Sequence, residues 1–381
     1  MYYIFYLLIL SSILFINRDW KVLTGLLLLQ VVLWLISSVP ARSIKMMLKR
    51  IWLFLLLVIV AYAFVPTGAE ADIWHTLPVG SYAIELNISG LLLALLMCER
   101  ILCLIMASIW VQHSASAEDF LAGLCRFGIP EPVAIALKHS MALVSGSADG
   151  RRGTGDGSGN GQGKPSAENK ARPSLRRILR GDLAPVRALM DWAFERADLR
   201  LAEHEPDLEP TIRNEISVMI SMTLAMMSFK MIVLVPGLMV APGHKNVILL
   251  PLFLIAAQRT QAHLGGMWTG LCMGMVNFML GFGKLGILEL VQFMLTGLLA
   301  DMLLPFYRGR GYVMGIIQLA FIGAFMGLAR FSTNLLLLVL AGAPIVGFAI
   351  ISPIIVAQIL FGALSAFPAK VLLTPPAKTQ E

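Results

Sequence analysis

Few residues in this chain are spaced for chemistry, and their placement says more about what the protein does not do. The stretch Gly157-Ser-Gly-Asn-Gly-Gln-Gly-Lys164 is similar in outline to a phosphate-cradling loop. That loop needs Gly-x4-Gly-Lys-[Ser/Thr], so a Gly at 158 and a Ser or Thr at 165. The chain has Ser158 and Pro165, with neither a strand-like run before the segment nor an apolar helix after it. ATP hydrolysis is therefore not expected of this polypeptide. The six histidines (His75, His113, His139, His204, His244, His263) show no His-Glu-x-x-His spacing. Beyond Glu215 at the head of the first, the C-terminal apolar runs hold only Glu289 and Asp301 as acids, so the acidic motifs of membrane prenyl transfer are missing. Cys98, Cys103, Cys125 and Cys272 lie scattered without Cys-x-x-Cys spacing, which supports neither a zinc site nor a disulfide framework. No catalytic residue, metal ligand or bound cofactor is expected.

Polar residues within apolar stretches carry more information, because ionisable groups inside a membrane are costly. Glu99 and Arg100 interrupt an apolar run near its middle and point about 100° apart on a helix. Functional use and structural bonding between helices are both open readings. His244, Lys245, Asn246, Lys284, Glu289, Arg330 and Asn334 fall at the ends of later runs. They read either as interfacial anchors or as a polar site opening outward, with a cationic bias suited to a carboxylate or phosphate. Ser217, Ser221 and Ala225, four apart, let another helix approach closely, in generic packing or in docking. Met219, Met222, Met226 and Met227 beside them are adaptable packing residues.

The elements that must position these residues follow from charge and hydropathy. Hydrophobic residues make up 57% of the 381 and charged residues 14%, against about 25% charged in an ordinary soluble domain. Residues 147–214 concentrate 12 Lys/Arg and 11 Asp/Glu, leaving the flanks too apolar for water. Apolar runs near 2–16, 22–38, 51–66 and 88–112 predict four spans, and runs near 214–238, 246–263, 264–282, 286–304, 312–329 and 334–366 predict six. The run 2–16 lacks a basic start and a small-residue cleavage site, so it reads as a retained helix. The fold class expected is all-α: a polytopic membrane protein of about ten helices in two bundles, 4+6.

The connection from Arg42 to Arg50 is basic, and 67–86 carries Glu70, Asp72 and Glu85 with no Lys or Arg. Basic loops stay in the cytoplasm, so 113–213 is expected inside, and the +7 net charge belongs to the membrane rather than to nucleic acid. Within 113–213, Glu118–Phe127 and Glu131–Val144 predict amphipathic helices broken at Gly128-Ile-Pro130. Residues 146–170 read as a flexible Gly/Ser-rich linker. From Asp182 onward, Leu183, Val186, Met190, Ala193, Ala197 and Leu201 form one apolar stripe on an otherwise charged helix. That stripe needs a cover: the chain's own membrane half, the membrane interface or a partner protein.

The stretch Arg100–Val144 resembles the transmembrane T component of energy-coupling factor (ECF) importers. The residues that carry this are Arg100 in a long apolar helix, His113-Ser-Ala-Ser116, Glu118-Asp119, Phe120-Leu-Ala-Gly-Leu124 and Gly128-Ile-Pro130. Residues 179–205 resemble that family's later coupling helix, with Ala202-Glu-His-Glu205 standing where the family has a short Ala-Arg-Gly signature. The C-terminal half is similar to a substrate-binding S component in its six short spans and small-residue first helix.

The resemblance implies domains at 1–145 (T-like), 146–170 (linker), 171–213 (coupling region) and 214–381 (S-like). It implies coupling to ABC-type ATPase subunits, a pair holding ATP and magnesium, through Phe120, Leu124, Arg187, Met190, Ala197, Arg200 and Ala202. Ser217, Ser221 and Ala225 would serve T–S docking, and a small-molecule substrate would bind near His244, Lys245, Asn246, Lys284, Glu289 and Arg330. The expected setting is a bacterial cytoplasmic membrane, and the expected cargo a vitamin, cofactor precursor or metal-related small molecule. A membrane enzyme or scaffold on a lipid pathway and an ion-coupled secondary transporter are the alternatives.

Overall fold

The computed structural model describes residues 2–17, 19–37, 39–40, 45, 52, 55–56, 59–60, 62–64, 73–79, 82–115, 117–149, 184–233, 243, 245–260, 264–280, 288–304, 315–340 and 348–373. The chain is mostly helical. Among the described residues, Ile88–Ser114, Ile316–Thr333 and Ile354–Leu373 are long and apolar enough to cross a membrane, and Tyr2–Ile16, Trp20–Ile36 and Asn246–Arg259 are shorter apolar helices. The chain divides into two compact units that interleave along the sequence.

The first unit comprises Met1–Leu124, Phe278–Glu289 and Ser332–Pro353. Its frame is α1 (Tyr2–Ile16), α2 (Trp20–Ile36) and α3 (Ile88–Ser114). Aromatic side chains with polar tips tie these together. Tyr3 and Tyr6 set their rings against Trp110, 5.8 and 5.2 Å between centroids. The Tyr3 hydroxyl donates to the Ser114 carbonyl at 3.1 Å, and the Tyr6 hydroxyl to Gln30 Oε1 at 2.7 Å. Trp34 Nε1 donates to the Met106 carbonyl at 2.9 Å and Trp110 Nε1 to Ser37 Oγ at 2.6 Å. In an apolar setting such donors must find protein acceptors, which fixes the helices in register. Arg100 is buried and donates from Nη2 to the Asn17 carbonyl just past the end of α1, at 2.8 Å. This is interhelical bonding, one of the two uses open for that residue.

An all-helical fold was expected, and here the structure differs. The connection expected as an outer loop forms an antiparallel hairpin, β1 (Trp74–Val79) with β2 (Tyr82–Asn87), paired from Trp74↔Asn87 to Val79↔Tyr82. Its base is fastened to α3: the Ile88 amide donates to the Ile73 carbonyl at 2.9 Å, and Asn87 Oδ1 caps the helix by accepting from the Gly90 amide at 2.9 Å.

The second unit comprises Cys125–Asn277, Leu290–Phe331 and Ile354–Glu381. The chain enters it from α4 (Ala117–Arg126) through Gly128, whose φ of +86° lies where side-chain-bearing residues are strained, into α5 (Glu131–Asp149). The expected break and both flanking helices are present, and α5 runs on to Asp149, past the expected linker boundary at 146. After residue 183 come α6 (Ala184–His204) and α7 (Pro210–Val233). Then follow α8 (Asn246–Arg259), α9 (Gly265–Met279), α10 (Leu288–Leu303), α11 (Ile316–Leu340), α12 (Phe348–Leu364) and α13 (Ala366–Leu373).

Two helix pairs in this unit touch backbone to backbone. A Cβ on Gly297 of α10 would lie 2.0 Å from the Gly266 carbonyl oxygen of α9, and one on Gly270 would lie 2.4 Å from the Phe293 oxygen. In α11 and α12, a Cβ on Gly323 would lie 2.2 Å from the Gly362 oxygen, and the reverse approach is 2.3 Å. Small residues permit such contact where lipid gives no hydrophobic drive for helices to associate. Asp301 of α10 adds a polar clamp, accepting from the Gly266 and Met267 amides at 2.8 Å each and so capping α9 from a neighbouring helix. Residues 329–334, expected as the connection between two apolar runs, lie inside α11. Arg330 can stay in the helix because its guanidinium rests over the Phe293 ring, 5.1 Å from the centroid.

Candidate functional site

The apolar stripe of α6 is buried at Val186, Met190, Ala193, Ala197 and Leu201, as is Leu189. Its cover is α7. Val186 and Leu189 pack with Phe229, Ser221 Oγ donates to the Ala193 carbonyl at 3.3 Å, and Ser217 Oγ donates to Asp198 Oδ1 at 2.5 Å. Moving forward along α6 moves the contact backward along α7, so the two form an antiparallel helical hairpin joined by residues 205–209. Ser217, Ser221 and Ala225 are all buried, the serines on the side of α7 that meets α6. Close approach there follows from their size, and the hydroxyls are satisfied on α6.

The tip of the hairpin is tied to α5. Glu205 Oε1 lies 3.7 Å from Lys138 Nζ and 3.6 Å from His139 Nε2. The rings of His139 and His204 meet edge to face with centroids 5.8 Å apart. Burial pushes the His139 imidazole below its ordinary value, Lys138 and Arg200 push the same way, and Glu205 opposes them. At the other end of α6, Arg187 Nη2 donates to the Val371 carbonyl at 2.7 Å.

The residues expected for coupling therefore divide. Met190 and Ala197 lie inside the α6–α7 packing, Leu124 is buried within the first unit, Arg187 and Arg200 are half-exposed, and Ala202 is exposed. The open face of α6 carries Asp191, Glu195, Arg196, Leu199, Ala202 and Glu203, with Leu199 57% exposed although apolar. Such a face can bear on a partner and move with it, and it holds no arrangement suited to bond chemistry. Among the described residues there is no group of three or more His, Cys, Asp or Glu that could hold a metal ion.

At the expected ligand end, Asn246 is buried and donates from Nδ2 to Gln358 Oε1 of α12 at 2.6 Å. Gly243, with φ of +96°, approaches the same side chain so closely that a Cβ would sit 3.0 Å from Gln358 Oε1. The Gln358 backbone in turn packs on Gly327, one turn before Arg330 on α11, and a Cβ there would lie 2.6 Å from the Gln358 carbonyl. Gln292 Nε2 donates to the Arg330 carbonyl at 3.3 Å. Lys245 is exposed, and Glu289 opens α10 half-buried. His244, Lys284 and the side chain of Phe120 lie outside the described residues. Gln358 and Gln292 were not anticipated here. Their signal was a single polar residue inside an apolar run.

No curated protein and no solved structure matches the chain. Residues 3–141 match the family model described as CbiQ, cobalt transport protein. That match covers α1 through most of α5, the part that holds the buried Arg100 and the Gly128-Ile-Pro130 break. Over residues 3–141 the chain is therefore similar to the transmembrane T-component family of energy-coupling factor transporters.

Proposed function

We propose that the chain is the membrane subunit of an ECF-type importer in a bacterial cytoplasmic membrane. It works with a pair of ABC-type ATPase subunits that hold ATP and magnesium. In this reading the chain makes ten spans in a 4+6 arrangement, with residues 113–213 inside. Residues 1–145 act as the T-like part, 146–170 as linker, 171–213 as coupling region and 214–381 as an S-like part that takes the cargo. The cargo is a vitamin, a cofactor precursor or a metal-related small molecule.

The observation that carries this reading is the α6–α7 hairpin in a chain whose first third matches a transport-family model. A charged helix is bonded along its length to an apolar one, Ser217 to Asp198 and Ser221 to Ala193. A push on the open face of α6 cannot be absorbed locally, because close-packed interiors transmit displacement. Arg187, Arg200, Ala202, Phe120 and Leu124 belong to the coupling surface for the ATPases, while Met190 and Ala197 stiffen the lever from within. Ser217, Ser221 and Ala225 hand the movement to the second half. His244, Lys245, Asn246, Lys284, Glu289 and Arg330 hold the cargo near the outer ends of the helices, with Gln358 setting the position of Asn246.

Affinity purification of the full chain from its native membrane tests this. An ATP-binding-cassette pair is expected to co-purify, and proteoliposomes of the complex should take up substrate only with ATP. A complex without such subunits, or uptake indifferent to nucleotide, refutes the reading.

A further inference from the structure

The helix α3 is the longest candidate span, 27 residues, and its sides are covered unequally. Ala94 and Cys98 pack against Leu55, Ile59 and Tyr62. Arg100 is turned to the end of α1. Ile101 and Ile105 pack with Trp34, joined by Leu102, Met106 and Ile109. The remaining side runs Ile88, Leu92, Leu95, Glu99, spaced four, three and four, and then continues into the covered Leu102 and Met106. On a helix this alternation of threes and fours is one seam. Its upper part is open: Ile88 is 39% exposed, Leu92 60% and Leu95 48%.

Exposed leucines alone would mean only that this side meets lipid. Glu99 changes that. It is half-buried on the twelfth residue of the helix, about 17 Å from its start at 1.5 Å per residue, close to the middle of the span. Among the described residues, no hydrogen bond or ion pair reaches its carboxylate. A carboxylate at this depth without a partner is costly in lipid, whose tails supply no donor. A second copy lying parallel in the same bilayer would bring Glu99 to Glu99, like against like. The complement is a basic group.

We propose that the Ile88, Leu92, Leu95, Glu99 seam of α3 receives a membrane-spanning helix of a different polypeptide that carries a lysine or arginine at mid-depth. The apolar residues supply the packing and Glu99 sets the register, as a single polar position does in a helical seam. The inference rests on α3 crossing the bilayer and not on the transport reading.

The test reconstitutes the full chain in phosphatidylcholine vesicles with photoreactive synthetic leucine–alanine helices of about 22 residues. These carry Lys, Leu or Glu at the centre. The Lys helix is expected to cross-link to Ile88–Glu99 about tenfold more than the Leu or Glu helix, the scale of one interhelical polar contact. Glu99→Gln should abolish that preference at unchanged elution volume and apparent Tm. Leu95→Trp, which blocks the seam and leaves the charge, should lower cross-linking to the Lys helix as well. Equal cross-linking of the Lys and Leu helices to the wild-type chain overturns the proposal. So does a preference that survives Glu99→Gln, or a yield with the Lys helix that Leu95→Trp leaves unchanged.

Discussion

Adding one methyl group at Gly323 isolates what holds the second unit together. A Cβ there would lie 2.2 Å from the Gly362 carbonyl oxygen and 2.6 Å from Ser365 Oγ, while ordinary contact begins near 3.4 Å. The obstructing atom is backbone, so relief requires α11 and α12 to separate by about 1 Å, which breaks their packing. Overpacking of this kind costs about 1–3 kcal/mol. Gly25 of α2 is the matched control, since nothing lies within 4 Å of a Cβ there. Alanine at that site gains about 0.5–1 kcal/mol of helix preference. The assay is the apparent Tm of the detergent-solubilised chain, followed by recovery of monodisperse protein after heating. At about 2–4 °C per kcal/mol, Gly323→Ala should lower it by about 4–8 °C for a loss of about 2 kcal/mol, and Gly25→Ala should leave it level or raise it. Gly362→Ala strikes the same contact from the other side, 2.3 Å from the Gly323 oxygen. The double variant should therefore lose clearly less than the sum of the two, because the first methyl group has already parted the helices. A Gly323→Ala chain as stable as Gly25→Ala, or strictly additive losses, would refute the close approach.

Asp301→Ala should remove the cap on the Gly266 and Met267 amides at a cost of about 1–3 kcal/mol, with Asp301→Asn intermediate, both read as apparent Tm. The His139 imidazole is held below its ordinary value of 6.5 when folded, so the unfolded chain takes up the proton first as pH falls. Its contribution is fully present above about pH 6.5 and declines below it, by at most about 1.4 kcal/mol per pH unit. The apparent Tm of wild type should therefore drop faster between pH 7 and 5.5 than that of His139→Gln. Parallel curves would exclude His139 as the source.

Much of the helical order was legible because it rests on local signals. Gly128-Ile-Pro130 marks a stop and start that needs no tertiary context, and the stripe from Val186 to Leu201 is a periodicity any helix must bury. What the stripe does not encode is its cover. α7 was read as an apolar span with a small-residue face, and only the structure pairs Ser221 with the Ala193 carbonyl. The hairpin from Trp74 to Asn87 was missed because its strands are six residues each and Pro78 falls inside the first, which argues against a strand. Arg330 was read as a boundary because charge usually ends an apolar run, yet the Phe293 ring lets the helix continue. Asn246 stood out as a polar residue at the head of an apolar run, but its partner Gln358 was not legible, since a lone glutamine gives no sign of which helix it will meet.

The central claim is that α6 bears on a separate motor and drives α7, and a cysteine in place of the exposed Leu199 tests it most directly. In inside-out membrane vesicles that thiol should cross-link to an ATP-hydrolysing subunit, in a yield that changes with nucleotide. The claim fails if the thiol is modified by an impermeant reagent added to the outer face of intact cells, or if it meets no such subunit from within.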